Sequence, residues 1–211
     1  MAGKRAVLFD LGNVFIEWDP RYVYRTLFSD PAEMEHFLKV VCAPDWNWSI
    51  DAGKPFMEAI RERQAMFPEY AEFIGFWYSR WREMLHGEIP GSVAVLWDLK
   101  AQATPIYALT NWSLETFSAT RERFGFLDWF ARIVVSGEVK LAKPDPEIFR
   151  LTARQCGLVP QETLFVDDLQ ANIDAALAVG FDALRFTGAE ALRAALVERG
   201  LLQGLGGRSQ P

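Results

Sequence analysis

Four short stretches hold the residues that could do chemistry. Asp10 follows the apolar run Ala6-Val7-Leu8-Phe9 and precedes Leu11-Gly12-Asn13-Val14. Thr110 and Asn111 follow Ile106-Tyr107-Ala108-Leu109. Lys143 opens Lys143-Pro144-Asp145-Pro146, and Asp167-Asp168 end the run Thr163-Leu164-Phe165-Val166. An apolar strand that delivers a carboxylate into a Gly-containing turn fixes a nucleophile and lets the backbone approach a ligand closely. Singly, each of these is also an ordinary turn or helix-cap residue, because Asp, Asn and Thr are common there. Lys143 alone would read as a solvated surface lysine. The ordered set is what points to a site.

Asp10, Asp167 and Asp168 call for a countercharge. Two carboxylates about 4 Å apart repel by roughly 4 kcal/mol at an effective dielectric near 20. A hard dication offsets that, and Mg²⁺ binds a few carboxylates, several waters and substrate phosphate oxygens. Lys143 adds a fixed positive charge, Thr110 a hydroxyl and Asn111 an amide, all suited to a phosphate. An Asp nucleophile, a cation and a phosphate cradle imply covalent catalysis through an aspartyl-phosphate. The cation, Lys143 and Thr110 would stabilise charge on the transferring group.

The elements that must position these residues follow from periodicity and punctuation. Residues 4–10 read as a strand. Residues 17–90 read as helical, with segments at 21–28, 32–41, 55–67 and 70–85 and no good strand candidate. Phe73, Phe76, Trp77, Trp81 and Leu85 form one apolar stripe, which makes Trp77 and Trp81 core residues. From residue 91 on, helices at 91–103, 114–124, 146–156, 171–179 and 189–199 alternate with strands at 105–109, 132–135, 163–166 and 183–186. That alternation implies an α/β fold, a Rossmann-like parallel sheet with helices on both faces, plus an inserted helical cap. The division expected is a core of residues 1–16 and 91–202, a cap of 17–90 after the first strand, and a disordered tail at 203–211. Ligands of such sheets sit beyond the carboxyl ends of the strands, where Asp10, Thr110 and Asp167 fall.

Composition narrows the function. The 211 residues are 50% hydrophobic and 14% aromatic, enough for a sizeable core. The net charge of −6 argues against a nucleic-acid surface. Two distant cysteines, Cys42 and Cys156, do not make a disulfide framework and fit a cytoplasmic protein. The apolar run that stops at Asp10 is too short for a signal-peptide core, and no run of about 18 apolar residues suggests a membrane span. The expected partner is a small-molecule phosphate ester, handled by a monomer or homodimer.

These motifs resemble the haloacid dehalogenase superfamily, whose members are mostly Mg²⁺-dependent phosphatases. The likeness rests on Phe9-Asp10-Leu11-Gly12-Asn13-Val14, Leu109-Thr110-Asn111, Lys143-Pro144 and Val166-Asp167-Asp168, and covers residues 6 to about 186 outside the helical block. That block corresponds in placement to the family's cap. Asp167-Asp168-Leu169-Gln170-Ala171-Asn172-Ile173 is similar to the last motif of bacterial α-D-glucose-1-phosphate phosphatases and of the phosphatase domain of soluble epoxide hydrolases. The resemblance implies that Asp10 is nucleophile and metal ligand, and that the Gly12 carbonyl and Asp168 are further ligands. Asp167 would act through a metal-bound water. Thr110, Asn111 and Lys143 would hold the phosphoryl group, and Asn172 would orient the acids.

One position departs from the family pattern. Its phosphatases carry Asp-x-Asp, the second Asp being the general acid, and Gly12 stands there. A general acid contributes roughly 10²–10⁴-fold, so alkyl phosphates should turn over slowly unless Glu17, Asp19, His36 or another donor substitutes. An ester with a better leaving group, such as a sugar 1-phosphate, needs the acid less. Two other functions stay open: a 2-haloacid dehalogenase, which needs no metal, and a catalytically weak binding or regulatory protein. Residues 44–54 read as a polar-aromatic loop in which Trp46 and Trp48 either bind the substrate or staple the cap helices. His36 and His86 lack partners at metal-ligand spacing.

Overall fold

The computed structural model describes residues 5–203. The tail expected to be disordered lies outside the described residues, apart from Gln203. In chain order the strands are β1 (Ala6–Phe9), β2 (Ile16–Trp18), β3 (Leu85–Glu88), β4 (Ile106–Thr110), β5 (Arg132–Val135), β6 (Thr163–Asp167) and β7 (Asp182–Arg185). The helices are α1 (Arg21–Tyr24), α2 (Pro31–His36), α3 (Pro44–Asp51), α4 (Phe56–Met66), α5 (Ala71–Ser79), α6 (Pro90–Ala101), α7 (Leu114–Thr120), α8 (Ser136–Val139), α9 (Pro146–Cys156), α10 (Gln170–Ala178) and α11 (Ala189–Glu198).

Five strands form one parallel sheet in the order β5-β4-β1-β6-β7. The central β1 is buried at every position, which is why its sequence is an unbroken apolar run rather than an alternating one. Phe9 is in register with Ala108 of β4 and Val166 of β6. The next residues, Asp10 and Asp167, therefore emerge side by side at the carboxyl edge of the sheet, and Asp10 N–H donates to the Val166 carbonyl at 2.8 Å. One face, through Leu8, Leu109 and Phe165, packs on Ile148 and Phe149 of α9 and on Ile173 of α10. The other face, through Val7, Phe9 and Val166, joins Leu96 and Leu99 of α6 and Leu192 and Leu196 of α11. The same apolar cluster runs on without a break into the cap, where Tyr24, Phe37 and Trp77 are buried. Each such side chain contributes about 1.5–3 kcal/mol on burial, so cap and sheet share one core. The α/β fold with helices on both faces and an inserted helical cap is the architecture the alternation pattern implies.

Three expectations about the helical block need correction. The block does contain strand: β2 and β3 pair antiparallel at its two ends, Ile16 opposite Glu88 and Trp18 opposite Leu85. Leu-His-Gly-Glu has neither alternation nor β-branched residues, so local pattern could not reveal a strand whose partner lies some seventy positions away. The segment at 44–54 is not a loop, since Pro44–Asp51 is helical with Pro at its first turn. Trp, Asn, Ser and Asp give it poor helix propensity, and docking against the sheet edge overrides that. The stripe at 70–85 is also broken: α5 ends at Ser79, and a 3₁₀ turn over Trp81–Met84 leads into β3.

Candidate active site

A cavity of about 340 Å³ separates the carboxyl edge of the sheet from the cap. Asp10, Gly12, Thr110, Asn111, Lys143 and Asp168 line it from the sheet side. Trp48 and Asp51 of α3, Trp18 of β2 and Trp81 line it from the cap side. Asp10 and Thr110 owe their positions to the ends of β1 and β4. Lys143 stands just before α9, whose start is fixed by Asp145 accepting the Glu147 N–H and by Pro146 in the first turn.

Lys143 is the electrostatic centre. Only 1% of it is exposed, and its Nζ lies 2.9 Å from Asp10 Oδ1 and 2.7 Å from Asp167 Oδ2. Asp167, wholly buried, also accepts both carboxylate contacts of Asn172 Nδ2 (2.9 and 3.0 Å) and the Leu169 N–H (2.8 Å). Its oxygens are thus held behind the cavity, while Asp10 and Asp168 face it. Burial pushes the Asp10 carboxyl up to about 7; Lys143 opposes this, and Asp167 and Asp168 add to it. Burial also raises Asp168, with Asp167 reinforcing the shift. Burial works against the Lys143 charge, but Asp10 and Asp167 more than offset it and hold the amine above its ordinary value.

The donor set fits a hard dication. Asp10, Asp167 and Asp168 each offer an oxygen, all within 4.8 Å of one another, and one ammonium cannot balance three carboxylates. Oxygen donors of this kind suit Mg²⁺ rather than a softer metal.

The structure separates the residues singled out in the sequence. Asn111 lines the cavity, but its side-chain amide is committed: Nδ2 donates to the Lys143 carbonyl and Oδ1 accepts the Lys143 N–H, both at 2.8 Å. The amide grips the lysine backbone instead of reaching toward a phosphate, because a side-chain amide offers one donor and one acceptor to the C=O and N–H of a single residue. The two tryptophans also part. Trp46 is outside the cavity lining, packed edge-on against Trp77 at 5.5 Å with its indole N–H donating to the Ala59 carbonyl, so it staples the cap. Trp48 lines the cavity, and its indole N–H reaches across to the Lys143 carbonyl at 2.7 Å. Trp77 and Trp81 are buried as their stripe implies, though Trp81 also borders the cavity.

Glu17, Asp19 and His36 do not line the cavity among the described residues. Glu17 accepts from the Tyr22 hydroxyl, Asp19 from Arg21, and His36 is exposed. His86 stacks on Tyr22 at 4.8 Å. The residue whose position sequence reasoning left open is Asp51, read there only as part of the polar-aromatic segment at 44–54. It is 8% exposed, lines the cavity, and accepts from the Ser113 N–H (3.1 Å) and Asn47 Nδ2 (2.9 Å). Burial pushes it up to about 7, Ser113 and Asn47 opposing and Asp10 adding. Its only sequence signal was an acid at the end of a segment opened by Pro44, a helix start that would have placed it on a face.

A fold of this kind, with an Asp–Lys–Asp cluster at the carboxyl edge of a parallel sheet beneath a helical cap, marks a hydrolase class. The chain matches the haloacid dehalogenase-like hydrolases over residues 4–180 and belongs to that family. It is 26% identical to a sesquiterpene phosphatase of Aspergillus oryzae over 87% of this chain and 90% of that protein. It is 22% identical to a phosphorylated-carbohydrate phosphatase of Thermotoga maritima, over 84% of this chain and 82% of that one. A Bacteroides thetaiotaomicron enzyme of the family, solved with magnesium and inorganic phosphate, superposes with a TM-score of 0.64 at 22% identity, over 88% of this chain and 96% of the other. Among the described residues, no helix is long and apolar enough to cross a membrane.

Proposed function

We propose that the chain is a Mg²⁺-dependent phosphatase of a small phosphorylated metabolite that works through an aspartyl-phosphate on Asp10. The observation that carries this is the carboxylate of Asp10, fixed at the end of β1 by Lys143 at 2.9 Å and facing the cavity with Thr110 beside it. The relatives above, named as phosphatases, support it. Asp10, the Gly12 carbonyl and Asp168 would hold the cation, with Asp167 behind them. When bound, the cation supplies Lewis-acid neutralisation of the phosphoryl oxygens and restores the ionised form of Asp10. Lys143 and Thr110 neutralise and orient the transferring group, and Asp10 Oδ attacks phosphorus in line with the leaving oxygen. Asn111 acts on this reaction through the Lys143 backbone that it holds, and Trp48 both holds that backbone and lines the cavity.

The leaving group would lie against Ile16, Trp18, Trp48, Trp81 and Leu85. In that part of the wall the indole N–H groups of Trp18 and Trp81 are buried without a partner among the described residues. A sugar 1-phosphate can stack its C–H face on these indoles, but most of its hydroxyls would find no partner there, which costs about 1–3 kcal/mol for each buried group left unpaired. The lining therefore favours an alcohol with an apolar body. The dehalogenase alternative is disfavoured by Asp168, whose carboxylate lines the same cavity and would repel a carboxylate substrate there.

The test is turnover of p-nitrophenyl phosphate and of a panel of phosphorylated metabolites, with Mg²⁺ and with EDTA. Metal-dependent release of phosphate that Asp10→Asn abolishes is the expected result. Chloride release from 2-chloropropionate in EDTA would establish the dehalogenase instead. Silence across the panel, with a ligand still raising Tm, would leave a binding protein.

A further inference from the structure

We propose that Asp51, on the cap, is the general acid and base of this site and replaces the carboxylate missing at Gly12. The inference rests on the phosphatase reading above. The cavity wall contains three acids, Asp10, Asp51 and Asp168. Asp10 and Asp168 belong to the anionic cluster that would hold a cation and attack phosphorus. Asp51 alone stands apart from that cluster, brought to the same cavity by α3 of the cap.

Its mounting suits the role. α3 ends at Asp51, and its backbone carbonyl accepts from Ser136 Oγ at 2.6 Å while its side chain accepts the Ser113 N–H. Both partners come from the sheet side, at the residues that follow β4 and β5. The helix is pinned again at Trp48 on the Lys143 carbonyl. The cap thus presents Asp51 from a fixed platform instead of a mobile loop, as a proton donor requires. Asn47 is locked in turn: its Oδ1 accepts the Trp77 indole N–H at 3.0 Å, which turns its Nδ2 toward Asp51. One carboxylate oxygen is thus bound by the Ser113 N–H and the other by Asn47, and a neutral carboxyl keeps one O–H to donate. The poise near neutrality described above matches what acid–base exchange needs.

The steps balance. As Asp10 Oδ bonds to phosphorus, the ester P–O bond breaks and the Asp51 proton passes to the leaving oxygen, which departs as the alcohol. The Asp51 carboxylate then takes a proton from the water that attacks phosphorus. The Asp10 O–P bond breaks, and inorganic phosphate leaves with Asp10 again a carboxylate.

The experiment compares an alkyl phosphate with 2,4-dinitrophenyl phosphate, whose leaving group needs no proton, by kcat/KM with Mg²⁺. Asp51→Asn should lose roughly 10²–10⁴-fold on the alkyl ester and at least tenfold less on the dinitrophenyl ester. Asp51→Glu should recover part of the alkyl activity. Equal losses on both esters would mean that Asp51 only fastens the cap, and would overturn the proposal; so would no loss on either. If Asp51→Asn does not fold, as judged by circular dichroism, the wild type decides: kcat/KM nearly independent of leaving-group acidity supports a donor, and a steep dependence overturns it. A wild type inactive on both esters removes the phosphatase reading and this proposal together, whereas an active wild type with an indifferent Asp51→Asn removes this proposal alone.

Discussion

Asp10→Asn should destroy activity and make the metal-free protein more stable, but only at high pH. Folding carries the Asp10 carboxyl from an ordinary 3.8 to about 7, chiefly by burial. Each tenfold change in an equilibrium is worth about 1.4 kcal/mol, so holding Asp10 ionised in the fold costs about 4 kcal/mol above pH 7. The sign follows from the direction of the shift. The unfolded chain gives up its proton more readily, so the penalty is complete above the folded value near 7 and vanishes below the unfolded value near 4. Asn mimics the neutral carboxyl, keeps an oxygen for Lys143, and removes one of the charges beside Asp167 and Asp168. Allowing for relaxation, the gain at pH 8 in EDTA should be about 2–4 kcal/mol, or roughly 5–15 °C in Tm for a chain of this size. Urea titrations of wild type and variant at pH 8 and pH 4.5 measure it. Taking the difference cancels the part of the Asp51 contribution that comes from its own burial and leaves the Asp10–Asp51 repulsion within the gain. Excess Mg²⁺ at pH 8 should narrow the gap, because the cation binds the ionised wild-type site more tightly. The same increment at both pH values, or a variant less stable at pH 8, would refute the electrostatic account of the cluster.

Asn111→Ala removes two 2.8 Å hydrogen bonds on the Lys143 backbone; it should cost about 1–3 kcal/mol in urea titration and lower kcat with little change in KM. Trp48→Phe loses the 2.7 Å bond across the cavity mouth; steady-state kinetics should show KM raised severalfold and Tm lowered by only a few degrees. Gly12→Asp is sterically open, since a Cβ there meets no described atom within 4 Å. It should restore at least tenfold of the alkyl phosphatase activity that Asp51→Asn loses and add little to the wild type. A large gain in the wild type would mean that no residue now serves as the acid.

The half of the site that depends on the sheet was legible because its positions are set locally. An apolar run of four or five residues followed by Asp or Thr fixes both a strand and the end at which its polar residue appears. The parallel register of β1 with β4 and β6 then brings Asp10, Thr110 and Asp167 together without further information. Lys143 was legible for a similar reason, through Pro146 and the Asp145 cap that start α9. What the sequence could not reveal is how side chains divide their hydrogen bonds. Asn111 has the right chemistry for a phosphate and spends it on Lys143, and Trp46 and Trp48, two positions apart, end on different surfaces of one helix. A two-residue step along a helix turns about 200°, so once 44–51 is read as a helix instead of a loop, the pair cannot share a wall. The same turn places Trp48 and Asp51, three residues apart, on one face.

That geometry carries the functional argument further than the family match can. The sheet edge determines what happens at phosphorus, and it is built from residues placed by the ends of β1, β4 and β6. The leaving group meets α3, β2 and the turn before β3, the segments in which local pattern failed. Substrate choice and proton delivery thus reside where tertiary docking overrides propensity, because an insertion need only seal the cavity and is free to vary in how it does so. In this chain the seal is made by α3, fastened through Trp48 to Lys143 and through Asp51 to Ser113 and Ser136. Fastening and proton transfer then draw on one carboxyl, Asp51, in the cavity that Gly12 also lines.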